Sequence, residues 1–305
     1  MYVPVRQRRF VNGEHIGRFA EIEMVPQNQD HTAKSNGAIT INVHYYEEGE
    51  GFPVVFIHGI GQSLYTWRNN IQSVALSGYR AIALDLPGFG FSDKPDIPYS
   101  IEDMSGAIES FLNTLGIEIA DFVVFSTGCL YLLDFVYNNP ERTGKITLVS
   151  PGIPNDGYPP IVKKVYSLLS RLGIFNVTER YVEQVLEQCF FDKTFITKEV
   201  VWEYFKPFKN KYTKAAVLAA LGNYDYEKVF RKLPDVGKLC LILWSNNDRL
   251  NGPEIVEMFH APIKTAHLYK MRNCGHFLHE EKYDKFNEIF VDFLNWRRHT
   301  TNPRL

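Results

Sequence analysis

A serine, an aspartate and a histidine follow one another along this chain, each just beyond a run of apolar residues. Ser126 ends Asp121-Phe122-Val123-Val124-Phe125-Ser126, Asp248 lies in Trp244-Ser245-Asn246-Asn247-Asp248, and His276 in Asn273-Cys274-Gly275-His276-Phe277. A hydroxyl is a weak nucleophile near neutral pH until an imidazole takes its proton. The imidazole in turn works best when a carboxylate fixes its tautomer and stabilises the imidazolium. These residue types suit attack on an acyl carbon, and the negative oxygen that forms needs aimed N–H donors. Thr127, beside the serine at a helix start, offers one. Ile60, in His58-Gly59-Ile60-Gly61, offers another, because its flanking glycines let the backbone approach closely. Taken singly, each residue has a plainer use: Ser126 as an N-cap, Asp248 as a turn former, His276 as a loop residue. Their common placement at strand ends is what joins them. His279 and Cys129 are the nearest competitors as base and nucleophile.

Positioning Ser126 falls to a sharp strand-turn-helix, which lifts a hydroxyl above a sheet and leaves the next N–H free. Such elbows read G-x-S-x-G. Here Gly128 keeps the second glycine and Val124 replaces the first. A β-branched residue where strand and helix approach most closely is expected to push the helix outward or relax the turn, aiming the Thr127 N–H less well.

Strand patterns over Arg18 to Met24 and Ala38 to Tyr46 suggest an antiparallel opening hairpin. Continuous apolar runs follow at Pro53 to Ile57, Ala81 to Leu84, Phe122 to Phe125, Lys145 to Val149, Leu239 to Trp244 and Lys264 to Tyr269, as strands buried on both faces require. Helical patterns over Trp67 to Ser77, Ile101 to Leu115 and from near Cys129 alternate with them, and Phe286 to Trp296 closes the chain. The alternation predicts a mostly parallel central sheet flanked by helices, with all three candidate residues at its carboxyl edge. Between Ser150 and Asp235 the rhythm breaks. Helical patterns appear there around Ile161 to Leu172, Glu179 to Gln188, Lys198 to Phe205 and Lys214 to Leu221. This predicts an inserted helical cap over 152–235, with a core of 1–151 and 236–305. Its aromatics, Tyr166, Phe190, Phe191, Trp202, Tyr204, Phe205, Tyr212, Tyr224 and Tyr226, either fasten it to the sheet or line an apolar pocket over Ser126.

A chain of 305 residues with 45% hydrophobic and 22% charged residues excludes a disordered or fibrous class. A formal net charge of -2 gives no footprint for nucleic acid. No run reaches the length of a membrane span, and the N-terminus lacks the apolar stretch of a signal peptide. The four cysteines, Cys129, Cys189, Cys240 and Cys274, lack ligand spacing and read as reduced thiols, which points to a cytoplasmic setting.

The chain resembles the α/β-hydrolase superfamily from about Tyr45 to Phe293. The resemblance rests on His58-Gly59-Ile60-Gly61, Asp85-Leu86-Pro87-Gly88-Phe89-Gly90-Phe91-Ser92, Ser126-Thr127-Gly128, Asn139-Pro140-Glu141-Arg142, Asp248 and Gly275-His276-Phe277. Trp67-Arg68 and Phe91-Ser92-Asp93-Lys94-Pro95 look like the branch of epoxide hydrolases and haloalkane dehalogenases. Those enzymes use an aspartate where this chain has Ser126, so their chemistry is not carried over. Serine members include esterases, thioesterases, lactonases and carbon–carbon bond hydrolases. The expectation is a serine hydrolase cleaving an ester, thioester or similar acyl bond of a small, largely apolar substrate through an acyl-enzyme. It calls for no metal and no cofactor. Two other classes stay open: a biosynthetic enzyme using the same site for acyl transfer, cyclisation or elimination, and a degenerate hydrolase that binds a small molecule.

Overall fold

The computed structural model describes residues 17–26, 37–153 and 177–296. The helical pattern expected over Ile161 to Leu172, with Tyr166, lies outside them. In chain order the elements are β1 (Arg18–Met24), β2 (Ile39–Glu48), β3 (Phe52–Ile57), α1 (Ile71–Leu76), β4 (Tyr79–Leu84), α2 (Ile101–Thr114), β5 (Ala120–Phe125), α3 (Gly128–Asn138) and β6 (Thr143–Val149). Among the described residues of the insertion, four helices follow: α4 (Glu179–Cys189), α5 (Lys198–Phe205), α6 (Lys211–Gly222) and α7 (Tyr226–Phe230). The chain then returns through β7 (Cys240–Ser245), α8 (Pro253–His260), β8 (Ala266–Met271), α9 (Leu278–Glu281) and α10 (Tyr283–Asn295).

The strands form one sheet in the order β1-β2-β4-β3-β5-β6-β7-β8. β1 and β2 make the antiparallel hairpin, β2 also runs antiparallel to β4, and the remaining pairs are parallel. Alternation along each strand feeds two cores. Val55, Ile57, Phe122 and Val124 face one side, with α2 and α3, whereas Val54, Phe56, Val123 and Phe125 face the other, with α1 and α10. This is why β3 and β5 read as unbroken apolar runs. α2 starts where its sequence says it should, with Ser100 and Asp103 forming a reciprocal capping box. α3 is buried nearly all round from Gly128 to Val136, so its apolar residues show no single stripe.

Several boundaries differ from expectation by a few residues, and for two the structure shows the cause. The helix expected over Trp67 to Ser77 splits into a 3-10 turn, Leu64–Trp67, and α1. Between them the Asn70 side chain donates to the His279 carbonyl at 3.0 Å and to Asn287 Oδ1 at 2.9 Å. A short amide engaged elsewhere breaks helix continuity. β8 begins two residues later than expected because its pairing with β7, from Cys240 opposite Ala266 to Ser245 opposite Met271, fixes the register.

Candidate active site

Sheet order places the site. β3 and β5 are neighbours, but β4 follows β3 on its other side, so their carboxyl ends open a crevice where successive connections diverge. Ile57 pairs with Val124, and extending that register puts Gly59 opposite Ser126 and Ile60 opposite Thr127. A Cβ built on Gly59 would lie 3.2 Å from Ser126 Cβ, so a side chain there would crowd the serine.

Ser126 stands on the turn between β5 and α3 with φ of 54°, a left-handed conformation that a non-glycine residue adopts at a cost. Its N–H donates to the Val149 carbonyl at 2.9 Å, which anchors the turn to β6. Val124 does not relax this elbow. Its side chain occupies space next to Gly128, where a Cβ would come within 2.9 Å of Val124 Cγ2 and 2.5 Å of the His58 carbonyl oxygen. One glycine therefore provides the room that the motif usually divides between two.

His276 Nε2 lies 2.9 Å from Ser126 Oγ, and its Nδ1 lies 2.7 Å from Asp248 Oδ2. An imidazole whose Nδ1–H donates a hydrogen bond to the carboxylate presents the Nε2 lone pair to the serine. The Asp248 side chain is fully shielded and the His276 side chain nearly so. Asp248 Oδ1 accepts the N–H groups of Leu250 at 2.9 Å and Asn251 at 3.1 Å, so the carboxylate's other oxygen is held as well. The His276 backbone is fixed from two sides: its N–H donates to the Cys189 carbonyl at 2.7 Å, and its carbonyl accepts from Ser150 Oγ at 2.7 Å.

The Ile60 N–H is directed at Thr127 Oγ1, at 2.8 Å. The Thr127 N–H belongs to the first turn of α3, whose donors the helix itself cannot satisfy. His58 fixes the loop carrying Ile60. Its Nε2 accepts the Leu86 N–H at 3.0 Å and its Nδ1 donates to the Gly59 carbonyl at 2.7 Å, an assignment only the neutral ring permits. Burial keeps that ring neutral by pushing its pKa down.

The competitors are placed elsewhere. His279 is buried, with Nε2 2.8 Å from Thr66 Oγ1, and burial, then Arg68, hold its pKa well below the usual range. Cys129 is buried, with Sγ 3.7 Å from the Val124 carbonyl, and burial raises its thiol well above the ordinary value.

The insertion's aromatics divide. Phe190 stacks on Phe277 at 5.0 Å, and Tyr204 meets Phe277 edge-on at 5.6 Å while its hydroxyl donates to Glu280. Those two fasten the insertion to the histidine loop. Phe191, Trp202 and Tyr212 are exposed. Phe208 and Val217 lie against Gly61 in the loop after β3, and Tyr224 reaches Thr127 and Tyr131. Sequence reasoning missed Glu281, whose carboxylate accepts the N–H groups of Gly275 (2.6 Å), Phe191 (3.0 Å) and Asp192 (2.9 Å). A signal was available: paired glutamates directly after Phe277-Leu278-His279 sit in a buried apolar context, where a carboxylate needs partners.

A mostly parallel sheet with a serine elbow after β5, an acid after β7 and a histidine after β8 defines a class. The chain belongs to the α/β-hydrolase family, whose description, alpha/beta hydrolase fold, matches residues 53–283. Its relatives make it an α/β-hydrolase enzyme. Among them is 2-hydroxy-6-oxo-6-phenylhexa-2,4-dienoate hydrolase of Comamonas testosteroni, 31% identical over 84% of this chain and 92% of the relative. A 2-hydroxy-6-oxononadienedioate/2-hydroxy-6-oxononatrienedioate hydrolase from the same organism is 29% identical over 86% of this chain and 94% of the relative. The fold is shared with an enol-lactonase from Burkholderia xenovorans LB400 (TM-score 0.72, 21% identity, 84% of this chain and 97% of that one). It is shared too with a thermophilic esterase from Thermogutta terrifontis (TM-score 0.74, 18% identity, 90% and 98%).

Proposed function

We propose that the protein hydrolyses an ester, thioester or similar acyl bond of a small, largely apolar substrate through an acyl-enzyme on Ser126. The observation that carries this reading is the unbroken relay from Ser126 Oγ through His276 to Asp248, at 2.9 and 2.7 Å. Ser126 Oγ attacks the carbonyl carbon as its proton passes to His276 Nε2, and the carbonyl electron pair moves onto oxygen. The Thr127 N–H, at the start of α3, is the donor offered to that oxygen, and the Ile60 N–H, engaged with Thr127 Oγ1 at 2.8 Å, would have to turn to join it. Collapse of the intermediate expels the leaving group, which takes the proton from His276. Water then attacks the acyl-enzyme by the same route, its proton passing to His276, and collapse breaks the Ser126 Oγ–acyl bond as His276 returns the proton to Ser126 Oγ. Asp248 stays ionised throughout and stabilises the imidazolium. Residues 152–235 act as a cap that closes the apolar side of the site, on a core of 1–151 and 236–305. The reaction needs no metal or cofactor, and four free thiols suit a cytoplasmic setting.

A second reading is favoured by the relatives named as dienoate hydrolases, with coverage of 84% to 86% of this chain. The acyl bond broken is then carbon–carbon, with the leaving carbon taking the proton from His276. An active-site-directed phosphonate, mapped by mass spectrometry, tests the shared core of both readings: it should label Ser126 alone, and labelling elsewhere or nowhere would sink both. Turnover of an ester and thioester panel beside a 2-hydroxy-6-oxo-dienoate separates them. Product analysis with added alcohol distinguishes hydrolysis from acyl transfer.

A further inference from the structure

Both ring nitrogens of His276 are engaged, Nε2 with Ser126 Oγ at 2.9 Å and Nδ1 with Asp248 Oδ2 at 2.7 Å. Hydrogen bonds in the ring plane, one at each nitrogen, fix where the imidazole lies along the relay but leave its tilt to whatever packs on it. Among the described residues two phenyl rings do so: Phe125, with centroids 4.9 Å apart and planes at 47°, and Phe277, at 6.0 Å and 76°. Phe125 is the nearer. It is completely buried and is itself held by rings, Phe277 at 5.0 Å, His279 at 4.5 Å and Trp67 edge-on at 6.5 Å. Phe125 closes β5 opposite Val149 of β6, and the next residue is Ser126, whose N–H donates to the Val149 carbonyl at 2.9 Å. One strand end therefore carries both the nucleophile and the surface on which the base rests.

A ring in this place does more than fill space. His276 becomes an imidazolium each time it takes a proton, first from Ser126 and later from water. A cation within about 6 Å of an aromatic centroid is attracted by the ring's quadrupole, and more strongly where water is excluded. Two imidazoles lie against Phe125. His279 stays neutral, because burial and then Arg68 hold its pKa well below the usual range, so the charge that Phe125 meets is the one formed on His276. That attraction lasts only as long as the charge, so it lowers the barrier to proton transfer without strengthening substrate binding. We propose that Phe125 is a positioning residue for the general base, its ring setting the tilt of the His276 imidazole and favouring the imidazolium that forms in each half of the reaction. No bond to Phe125 forms or breaks. The proton passes from Ser126 Oγ to His276 Nε2 and on to the leaving group, while Asp248 and Phe125 stabilise the charge in between.

The proposal rests on the reading of Ser126 and His276 as nucleophile and base, so His276→Ala is assayed beside the test series. In the full chain Phe125 is replaced by mono-, di- and trifluorinated phenylalanine, which drain the ring's π-face stepwise with little change of shape, and by leucine, which removes the ring. Both kcat and KM are measured on a p-nitrophenyl ester. The value of kcat should fall with each fluorine, to about tenfold below native for the trifluorinated ring and further for Phe125→Leu, with KM little changed. A kcat that stays flat or rises across the fluorinated series overturns the proposal, since packing alone does not respond to the ring's electrons. So does a native kcat in Phe125→Leu. If Phe125→Leu does not fold, the fluorinated proteins decide alone. Turnover by His276→Ala would remove the base and this proposal with it, whereas an inactive His276→Ala with a flat fluorine series leaves the relay standing and removes only the role of Phe125.

Discussion

Gly128 carries more of the elbow than any other single residue, because it lets a β-branched neighbour sit where the motif ordinarily has glycine. A methyl group at 128 meets the His58 carbonyl oxygen and Val124 Cγ2 inside contact distance. Gly128→Ala should therefore cost about 1–3 kcal/mol as overpacking, and lower kcat by shifting the loop that carries Ile60. Val124→Gly should cost about 1.5–3 kcal/mol of lost burial while leaving the burst rate of acylation unchanged. Melting temperatures and burst kinetics on the two variants check this, and a faster burst in Val124→Gly would return the strain to Val124. The thiols give a separate expectation. All four are buried and free, and burial pushes even Cys274 up to about 11, so mild thiol reagents should leave the native enzyme active. At this scale the serine, histidine and aspartate that the structure brings together were legible in the order of three strand ends. The Ile60 contact with Thr127 was not, because it depends on a side-chain rotamer and not on any spacing.

Among elements, the join between α4 and the loop after β8 deserves a test of its own. Gly275 packs so closely on α4 that a Cβ would lie 2.2 Å from the Cys189 carbonyl oxygen. Glu281, on α9, ties both sides together through three backbone N–H groups. In Glu281→Gln an amide N–H₂ must replace one acceptor oxygen and face a backbone donor. The expected cost is about 1–3 kcal/mol, with a parallel fall in kcat/KM because His276 adjoins the loosened loop. A lowered melting temperature with unaltered kcat/KM would show that the brace serves only folding. The helices α5 and α6 were readable from their apolar period, and β3, β5, β6 and β7 from their continuous runs. α8 and α9 were not: α8 is eight residues long and α9 four, too short for periodicity to stand out.

For the whole molecule, two buried neutral histidines set the acid limit of stability. His58 and His279 have folded pKa values below the ordinary 6.5, chiefly through burial. The unfolded chain then takes up protons first as the pH falls. The stabilisation from both is complete above pH 6.5 and is lost progressively below it. Asp85 adds a second step. Burial would raise its pKa, but the hydrogen bond and charge of His44 outweigh that and hold it below 3.8, so its contribution is present above that value and lost below it. Melting temperature should be level from pH 8 to about 7 and decline toward pH 5; a level profile down to pH 5 would contradict the neutral-histidine account. The fold as a layered parallel sheet was legible because alternation of element types dictates it. The buried links among Thr66, Tyr204, His279 and Glu280 were not, since they join residues far apart in sequence and share no pattern.

The docking of α4 against the histidine loop has one more consequence. Because the His276 N–H and the Gly275 backbone are held by the same segment, Cys189 to Asp192, any opening that lifts α4 also removes one of the two backbone ties on His276 and leaves the tie to Ser150. The expected result is that the fraction of molecules with His276 in place falls whenever α4 is loosened. A substitution on the outer face of α4, remote from any substrate, would lower apparent kcat through the population of competent enzyme while leaving the chemistry of each competent molecule untouched.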